Sequence, residues 1–282
     1  MTPRGVLTAM VTPFGPDGGL DEEAAADLIR HLLANGSDGV VLAGTTGEGS
    51  TVTDEEDVAL WTLGVEVAGD ATVIAGTGTN DTRHSIELTE RAAECGVDAA
   101  LVVTPYYNRP NRAGLLAHYS AVAAATDLPI VAYNVPHRTG TDMSNDLLAE
   151  LGQIDGIEAV KQARYEDLAP IDGLDLLCGN DDVLAETLDM GGTGGILVAS
   201  HLVGTEMRRM IDEPDERHQI QDGLKPVYEA LSVAPLAASV KASLKLLGRD
   251  VGSPRLPLVE PNPDETAVLR TALESQGLLE RV

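Results

Sequence analysis

The sequence predicts an α/β fold, namely a closed (β/α)8 TIM barrel with a C-terminal helical extension. Short apolar segments alternate with helix-like segments eight times in roughly the first 210 residues, which is the pattern of repeated strand–helix units. The apolar segments are continuous, as expected for parallel strands that are buried on both faces. An open doubly wound sheet is the alternative, but Gly76-Thr77-Gly78 lacks the third glycine of a dinucleotide-binding loop.

The first four strand–helix pairs are predicted between residues 6 and 125. The first helix shows the reasoning, because Asp21-Glu22-Glu23 places negative charge at a helix N-terminus and Asn35-Gly36 is a common helix end. The predicted strands cover residues 6–11, 40–42, 72–75 and 99–103, and the predicted helices cover residues 21–34, 54–68, 82–95 and 112–125.

The remaining four pairs are predicted before residue 212, and the pattern then changes to helices alone. We therefore predict two domains: a barrel over residues 1–212 and a helical region over residues 213–282 that packs on it. The predicted strands cover 129–133, 157–161, 174–178 and 194–198, with helices at 145–151, near Glu166, at 183–190 and at 201–211. Three further helices are predicted at 216–231, 234–247 and 264–278, with a proline-rich connection at 254–263.

The composition indicates a soluble globular protein. Hydrophobic residues make up 43% of the 282 residues, and no apolar run approaches the length of a membrane span. The segment Met1-Thr2-Pro3-Arg4 leads into a strand without a secretory signal, so we expect a cytoplasmic location. Cys95 and Cys178 have no metal-ligand spacing and predict buried free thiols.

The charge is strongly negative, with 19 basic against 45 acidic residues and a net charge of −26. A surface this acidic repels nucleic acids and anionic membranes, which argues against both as partners. Such a charge is also typical of proteins that stay dispersed where salt screens charge, so it suggests a salt-rich cytoplasm. The alternative is an ordinary acidic protein from a cytoplasm of usual salt content.

Lys161 ends the sixth predicted strand, where a barrel enzyme places its chemistry. The other three lysines, Lys225, Lys241 and Lys245, lie in helix-like sequence near the C-terminus. A lysine that is partly desolvated in a pocket can supply the neutral amine that attacks a carbonyl to form a Schiff base. On position alone, a structural lysine that reaches water is the commoner case.

Polar residues also follow the second and fourth predicted strands. Gly44-Thr45-Thr46-Gly47-Glu48 offers two hydroxyls and exposed backbone N–H groups that can hold a carboxylate, although alone it is also a common turn sequence. The segment Thr104–Pro110 contains Tyr106 and Tyr107 between two prolines, which predicts a rigid loop that presents two phenols. A core or interface role for one tyrosine is the alternative.

The fifth and eighth strand ends complete the predicted site. Tyr133 can relay protons, and Arg138 can bind a carboxylate with its planar guanidinium group. His137 lies beside a proline in the same loop and is more simply explained as incidental. The glycine-rich segment Gly191–Ile196 requires its backbone to approach either a ligand or a neighbouring strand.

These groups suit Schiff-base activation of a 2-oxo acid, with phenols and hydroxyls to move protons. The sequence shows no acidic or histidine cluster with metal-ligand spacing and no glycine-rich phosphate loop before a Lys-Ser or Lys-Thr pair. We therefore expect chemistry that needs no cofactor and no metal.

The chain resembles the pyruvate-dependent class I aldolase family, which includes dihydrodipicolinate synthases and N-acetylneuraminate lyases. The resemblance spans nearly the whole chain and rests on GTTGE at 44–48, TPYYNRP at 104–110, YNVPHRTG at 133–140 and Lys161, in the family's order and spacing. The chain looks most like the synthase branch, because the lyases usually carry Ser as the first hydroxyl of the GTTGE loop and lack this tyrosine loop with its downstream arginine.

The resemblance implies a role for each matching residue. Lys161 would form the Schiff base with pyruvate, and Tyr133 would relay protons, with Thr45 linking it to Tyr107 from a neighbouring subunit. Thr46, in the loop that starts at Gly44, would hold the pyruvate carboxylate. Arg138 would bind the carboxylate of L-aspartate 4-semialdehyde, and the backbone around Ile196 would face the Schiff base.

The same resemblance implies the product and the assembly. The enamine would attack the aldehyde, and the product would cyclise to 4-hydroxy-tetrahydrodipicolinate on the route to diaminopimelate and lysine. The active unit would be at least a dimer, and a dimer of dimers is common in the family.

Two stretches depart from the family pattern. After the lysine the synthases commonly have Glu-Ala-Ser or Glu-Ala-Thr, and this chain has Gln162-Ala163-Arg164. The usual Asn-Pro-Ile-Pro before Val-Lys is replaced by residues 235–239 before Val240-Lys241. The change beside the lysine leaves room for a 2-keto-3-deoxy sugar acid aldolase or dehydratase. A third hypothesis is a non-catalytic 2-oxo acid sensor, which would be expected to lack Lys161 or a relay tyrosine.

The resemblance also bears on regulation. Lysine-inhibited members use a histidine and a glutamate at an interface site, where this chain has Asp57 and His84, while Asn80 and Tyr106 are retained. Loss of the glutamate removes the carboxylate that would pair with the effector's amino group. We therefore expect weak or absent feedback by lysine.

Overall fold

The computed structural model describes residues 2–280, which form a closed barrel of eight parallel strands. Each strand pairs with the next in chain order, and β8 pairs with β1 to close the barrel. The predicted (β/α)8 barrel is confirmed. The strands are β1 Gly5–Ala9, β2 Gly39–Leu42, β3 Thr72–Gly76, β4 Ala99–Val103, β5 Ile130–Asn134, β6 Ile157–Gln162, β7 Asp175–Cys178 and β8 Gly194–Leu197.

The helices begin where the sequence supplies capping side chains. Asp21 accepts a hydrogen bond from the N–H of Ala24 at 3.0 Å, and Thr53 and Glu56 form a reciprocal capping box. The helices are α1 Glu22–Ala34, α2 Asp54–Ala68, α3 Thr82–Cys95, α4 Arg112–Ala123, α5 Pro136–Thr139, α6 Asn145–Leu151, α7 Leu184–Asp189, α8 Ser200–Asp212, α9 Arg217–Leu231, α10 Leu236–Leu246 and α11 Pro263–Ser275.

The glycine-rich eighth strand allows the barrel to close. Gly194 has a φ of +144°, and a Cβ at this position would lie 2.1 Å from the carbonyl oxygen of Gly5 on β1. A Cβ at Gly195 would lie 2.6 Å from the sulfur of Cys178 on β7. The sequence left open whether a ligand or a neighbouring strand requires these glycines, and the structure shows the neighbouring strands.

The prediction of a short helix near Glu166 is wrong. Residues 163–170 form turns and irregular backbone, and an isolated bridge joins Ile171 to Leu174. Asp167 has a φ of +55°, a left-handed conformation that interrupts a helix. The one-turn helix α5, which carries Arg138, was not predicted.

The C-terminal helices pack on one side of the barrel. Helix α9 packs against α8, α7 and α11, and α10 packs against α8, α9 and α11. The C-terminal helices therefore pack directly on helices of the barrel. The division into two domains at residue 212 stays a proposal.

Two predictions about single features can be compared with the structure. Both cysteines are free; Cys178 is buried as expected, whereas Cys95 is only partly buried. No helix within residues 2–280 combines the length and the apolar character needed to cross a membrane.

Candidate active site

Lys161 and Tyr133 are neighbours at the carboxyl ends of β6 and β5. They are paired in the strand register, and the Nζ of Lys161 lies 4.3 Å from the centroid of the Tyr133 ring. Each side chain is 5% exposed. An amine and a phenol are therefore held together inside the barrel, at the end where barrel enzymes perform their reactions.

Tyr133 also lines a cavity of about 340 Å³. Its wall contains Gly44 and Thr45 from the loop after β2, Tyr106 from the loop after β4, and Arg138 from α5. The structure thus brings together groups that the sequence predicted from three separate strand ends. Thr45 itself is exposed at the cavity, and Thr46 beside it is buried.

Arg138 lies between this cavity and a second one of about 650 Å³ at the same face of the barrel. The second cavity is lined by His137, Ala163, Arg164 and Asn180, among others. Partial burial and the positive charge of Arg138 lower the pKa of His137. His137 is exposed in this loop, and its interpretation as incidental to the chemistry stays a prediction.

The loop that carries the two threonines is held by the C-terminal helices. Glu48, the last residue of GTTGE, has a φ of +57° and pairs with Lys241 of α10 at 2.7 Å. Both side chains are almost fully buried, and the N–H of Arg255 donates to the other Glu48 oxygen at 2.8 Å. Burial lowers the pKa of Lys241, while the Glu48 carboxylate opposes that shift.

Phe14 lies between two cations beside this ion pair. The Lys241 ammonium is 4.2 Å and the Arg255 guanidinium is 4.1 Å from the ring centroid. This cluster was not predicted, because Phe14 and Glu48 on one side lie more than 190 residues from Lys241 and Arg255 on the other. The only signal available was a Val-Lys pair in the C-terminal region.

The tyrosine loop has a different environment from Tyr133. Tyr107 has a φ of +73° and is 90% exposed, so its phenol projects away from this chain. The side chain of Asn108 donates to the carbonyl oxygen of Asn80 at 2.8 Å. Gly140, with a φ of +69°, packs so closely on Arg109 that a Cβ would lie 2.9 Å from its guanidinium nitrogens. These contacts fix the loop while leaving the Tyr107 ring exposed.

Strands β7 and β8 contribute Ile196 and an acidic residue, Asp181, that was not among the predicted site residues. Ile196 is fully buried in β8. Asp181 follows β7, and its carboxylate accepts hydrogen bonds from the N–H groups of Val198 and Ala199 at 2.8 and 3.1 Å. Burial raises the pKa of Asp181 to about 6, although the two backbone donors and Lys161 oppose the shift. The sequence signal that could have identified Asp181 is the polar run Asn180-Asp181-Asp182 after the end of β7.

Asp57 contributes a buried carboxyl group to the far wall of the smaller cavity. Burial, with smaller contributions from Asp54 and Glu56, raises the pKa of Asp57 to about 8. His84, the other residue expected at a regulatory site, bonds instead to Asp54 at 3.0 Å. No group of three or more potential metal ligands occurs in the part of the chain that the structure describes.

The fold and the clustered strand-end residues define a class, the (β/α)8 barrel enzymes with a lysine in the barrel. The dihydrodipicolinate synthetase family model matches residues 2–276. A 4-hydroxy-tetrahydrodipicolinate synthase from Heliobacterium modesticaldum is 43% identical, with 97% of this chain and 95% of the relative covered. This chain belongs to the dihydrodipicolinate synthetase family.

Solved structures give the same result. A DHDPS from Cyanidioschyzon merolae with lysine bound is 37% identical and superposes with a TM-score of 0.93, covering 98% of this chain and 99% of that one. A chloride-inhibited dihydrodipicolinate synthase from Acinetobacter baumannii complexed with pyruvate is 33% identical, with a TM-score of 0.94 over 99% of this chain and 100% of that one.

Proposed function

We propose that this protein is a 4-hydroxy-tetrahydrodipicolinate synthase, a lyase that condenses pyruvate with L-aspartate 4-semialdehyde in lysine and diaminopimelate biosynthesis. One observation carries the proposal. The buried Lys161 amine contacts the Tyr133 ring at the carboxyl ends of adjacent barrel strands, in a chain 43% identical to a synthase of that name.

Lys161 is the nucleophile in this proposal. Its neutral amine attacks C2 of pyruvate, water leaves, and the resulting imine loses a methyl proton to give an enamine. The hydroxyl of Tyr133 relays these protons, and the ring contact with Lys161 keeps it beside the reacting carbon. Thr46 holds the pyruvate carboxylate, and the backbones of Gly44 and Ile196 border the imine.

Arg138 binds the second substrate. Its exposed guanidinium group at the junction of the two cavities suits the carboxylate of L-aspartate 4-semialdehyde, because a planar fork can donate two parallel hydrogen bonds. The enamine carbon then attacks the aldehyde carbon, hydrolysis releases Lys161, and the product cyclises to 4-hydroxy-tetrahydrodipicolinate.

The active unit is at least a dimer, and a dimer of dimers is the expected assembly. Tyr107 supports this proposal, because an aromatic ring that is 90% exposed on a strained residue can complete a site in a second copy of the chain. Thr45 would connect that ring to Tyr133. Sedimentation at assay concentration tests the assembly, and a fully active monomer would contradict it. A cytoplasmic location stays a prediction.

Trapping of the pyruvate imine tests the proposal directly. The protein is incubated with pyruvate and borohydride, the modified residue is identified by mass spectrometry, and pyruvate is then assayed with L-aspartate 4-semialdehyde. We expect a reduced adduct at Lys161 and condensation. The absence of an adduct rejects every Schiff-base mechanism, including the sugar acid alternative, and leaves the non-catalytic sensor.

An adduct without condensation would favour a 2-keto-3-deoxy sugar acid aldolase or dehydratase. The sequence feature that left room for this alternative was Gln162-Ala163-Arg164. In the structure both terminal nitrogens of Arg164 are bonded to protein side chains, Asp142 and Asn145. These contacts explain Arg164 without a second substrate other than the aldehyde, so the synthase remains the better supported function.

A further inference from the structure

Five polar side chains form a network next to the two strands that carry Lys161 and Tyr133. They are Asn134, Asp142, Asn145, Gln162 and Arg164, and we call them the Arg164 network. Asn134 follows Tyr133, Gln162 follows Lys161, and the two are paired in the strand register. Because successive strand residues point to opposite faces, the network lies on the other face of the strands from the lysine and the tyrosine.

Hydrogen bonds join the five side chains to one another. The side-chain nitrogen of Asn134 donates to Gln162 and to Asp142, each at 3.0 Å. Arg164 donates through its guanidinium group to Asp142 at 2.8 Å and to Asn145 at 2.7 Å, and its backbone N–H donates to Gln162 at 3.3 Å. Asn134 is fully buried, Gln162 is 1% exposed and Arg164 is 9% exposed.

The network also fixes the segment that carries Arg138. Asn134 exchanges two hydrogen bonds with the backbone of Met143, at 3.0 and 3.1 Å. Asp142 lies in the same segment and is held from two sides, by Asn134 and by Arg164. Residues 135–144 are therefore tied to the end of β5 at both of their ends.

We infer that Arg164 is a positioning residue that aligns Tyr133, Lys161 and Arg138 through this network. The inference rests on the proposed Schiff-base function. Removal of the guanidinium group leaves the Asp142 carboxylate and the Asn145 side-chain oxygen each with one donor fewer. The segment that carries Arg138, and Asn134 at the end of β5 through Asp142, then lose their tie to the residues that follow β6. Small displacements of reacting groups have large kinetic effects, because catalysis depends on sub-ångström alignment.

The experiment compares Arg164→Met with Arg209→Met in the full chain. Arg209 also makes two ion pairs, to Glu213 at 2.8 Å and to Glu216 at 3.2 Å, but it is exposed on α8 and its partners are not next to any network residue. We measure kcat, the KM for each substrate, the rate of borohydride trapping at saturating pyruvate, and Tm. For Arg164→Met we expect kcat to fall about tenfold or more, the KM for the aldehyde to rise, and trapping to slow. Arg209→Met should match the unchanged protein in kcat, KM and trapping.

A second variant keeps the test decisive if Arg164→Met does not fold. The double variant Arg164→Gln with Asp142→Asn replaces the ion pair by two amides that can still bond to each other, and we expect it to fold with kcat between those of Arg164→Met and the unchanged protein. A lower Tm with unchanged kcat, KM and trapping would show a merely structural arginine and overturn the inference. Failure of the unchanged protein to trap pyruvate would instead overturn the proposed function.

Discussion

At the scale of single residues, the buried Tyr133 differs from the buried Tyr119 in what its side chain contacts. The hydroxyl of Tyr119 is bonded to the carbonyl oxygen of Val102 at 3.0 Å, which is a structural arrangement. Tyr133 instead has its ring against the Lys161 amine and borders the smaller cavity. Burial with a hydrogen bond explains Tyr119, whereas the ring contact and the cavity position of Tyr133 are what support its proposed role as a proton relay.

Replacement of Tyr133 by Phe tests this difference. The ring and its contact with Lys161 are kept, and only the hydroxyl is removed. Because a positioned acid–base group contributes about 10²–10⁴-fold, we expect kcat to fall at least a hundredfold. Steady-state assays of Tyr119→Phe provide the control, since the Tyr119 hydroxyl bonds to Val102 in the core and Tyr119 lines neither cavity. Equal effects of the two variants would contradict the relay role.

The Asp57 carboxyl group makes stability depend on pH. Its pKa is about 8 in the folded protein and about 3.9 in an unfolded chain, so the folded state retains a proton that the unfolded state loses. The stability due to this group is fully present below about pH 4 and is lost as the pH rises through 8. For Asp57→Asn we expect a gain that grows from small near pH 4 to a few kcal/mol at pH 8.

Urea unfolding at pH 5 and pH 8 measures this gain. Glu55→Gln is the matched control, because Glu55 is an exposed carboxylate on the same helix turn. We expect the control to leave the free energy of unfolding nearly unchanged at both values. A gain for Asp57→Asn that is the same at pH 5 and pH 8 would show that burial does not hold the proton on Asp57.

Feedback by lysine is expected to be weak or absent. The family resemblance implies a glutamate in lysine-inhibited members where this chain has His84, and His84 is bonded to Asp54. Burial raises the pKa of Asp57 to about 8, so its carboxyl group is largely neutral at pH 7. A cationic amino group therefore lacks the carboxylate at position 84. Initial rates with increasing L-lysine test this, and inhibition in the micromolar range would contradict it.

At the scale of helices and loops, the Lys241–Glu48 pair connects α10 to the GTTGE loop. We expect Lys241→Met to destabilise the protein by about 3–5 kcal/mol, because it leaves the Glu48 carboxylate buried without its cation. The loop carries Thr45 and Thr46, so the KM for pyruvate should rise as well. Thermal unfolding and steady-state kinetics measure the two effects.

Two further variants separate the pair from general effects of losing a lysine. Lys245→Met is the control, because Lys245 is exposed on the same helix and lies 3.5 Å from the exposed Asp250. The double variant Lys241→Met with Glu48→Gln removes both buried charges and should recover much of the lost stability. A double variant as unstable as Lys241→Met would show that the loss comes from packing rather than from the unpaired carboxylate.

The elements that sequence patterns predicted are those with strong local signals. The bounds of the continuous apolar strands and of capped helices such as α1 and α2 were predicted within a few residues. Their signals, apolar runs and capping residues, lie within the elements or directly beside them in the sequence. The connection after β6 was mispredicted, because Asp167 adopts a left-handed conformation that the neighbouring residues in the sequence do not indicate. The Arg164 network was missed for a different reason, because its bonds join residues up to 28 positions apart.

The same distinction applies to the candidate site. Residues at strand ends could be selected because a parallel barrel gathers all of its carboxyl ends at one face. The burial of the Asp57 carboxyl group and the pairing of Lys241 with Glu48 could not be predicted, because both depend on partners supplied by distant segments. Tyr107 could be selected as a candidate, but the sequence does not show which surface of a second copy its ring would contact, because that depends on how the copies assemble.

At the scale of the whole molecule, the outstanding feature is the net charge of −26, which neither the fold nor the candidate site requires. With 45 acidic and 19 basic residues, most carboxylates have no cation available even if every basic residue is paired. Surface pairs such as Arg30–Asp27 contribute little individually. Repulsion among the unpaired carboxylates therefore opposes the compact state.

Salt should stabilise this protein by screening that repulsion. The Debye length falls from about 10 Å at 0.1 M to about 3 Å at 1 M, so most of the gain comes in this range. We expect Tm to rise by several degrees between 0.1 and about 1 M KCl, most steeply at the low end. Sucrose at matched osmolality stabilises by exclusion alone and separates this effect from screening. Because salt weakens attractive surface pairs, a Tm that is flat or falls with KCl would show that paired charges outweigh the unpaired ones.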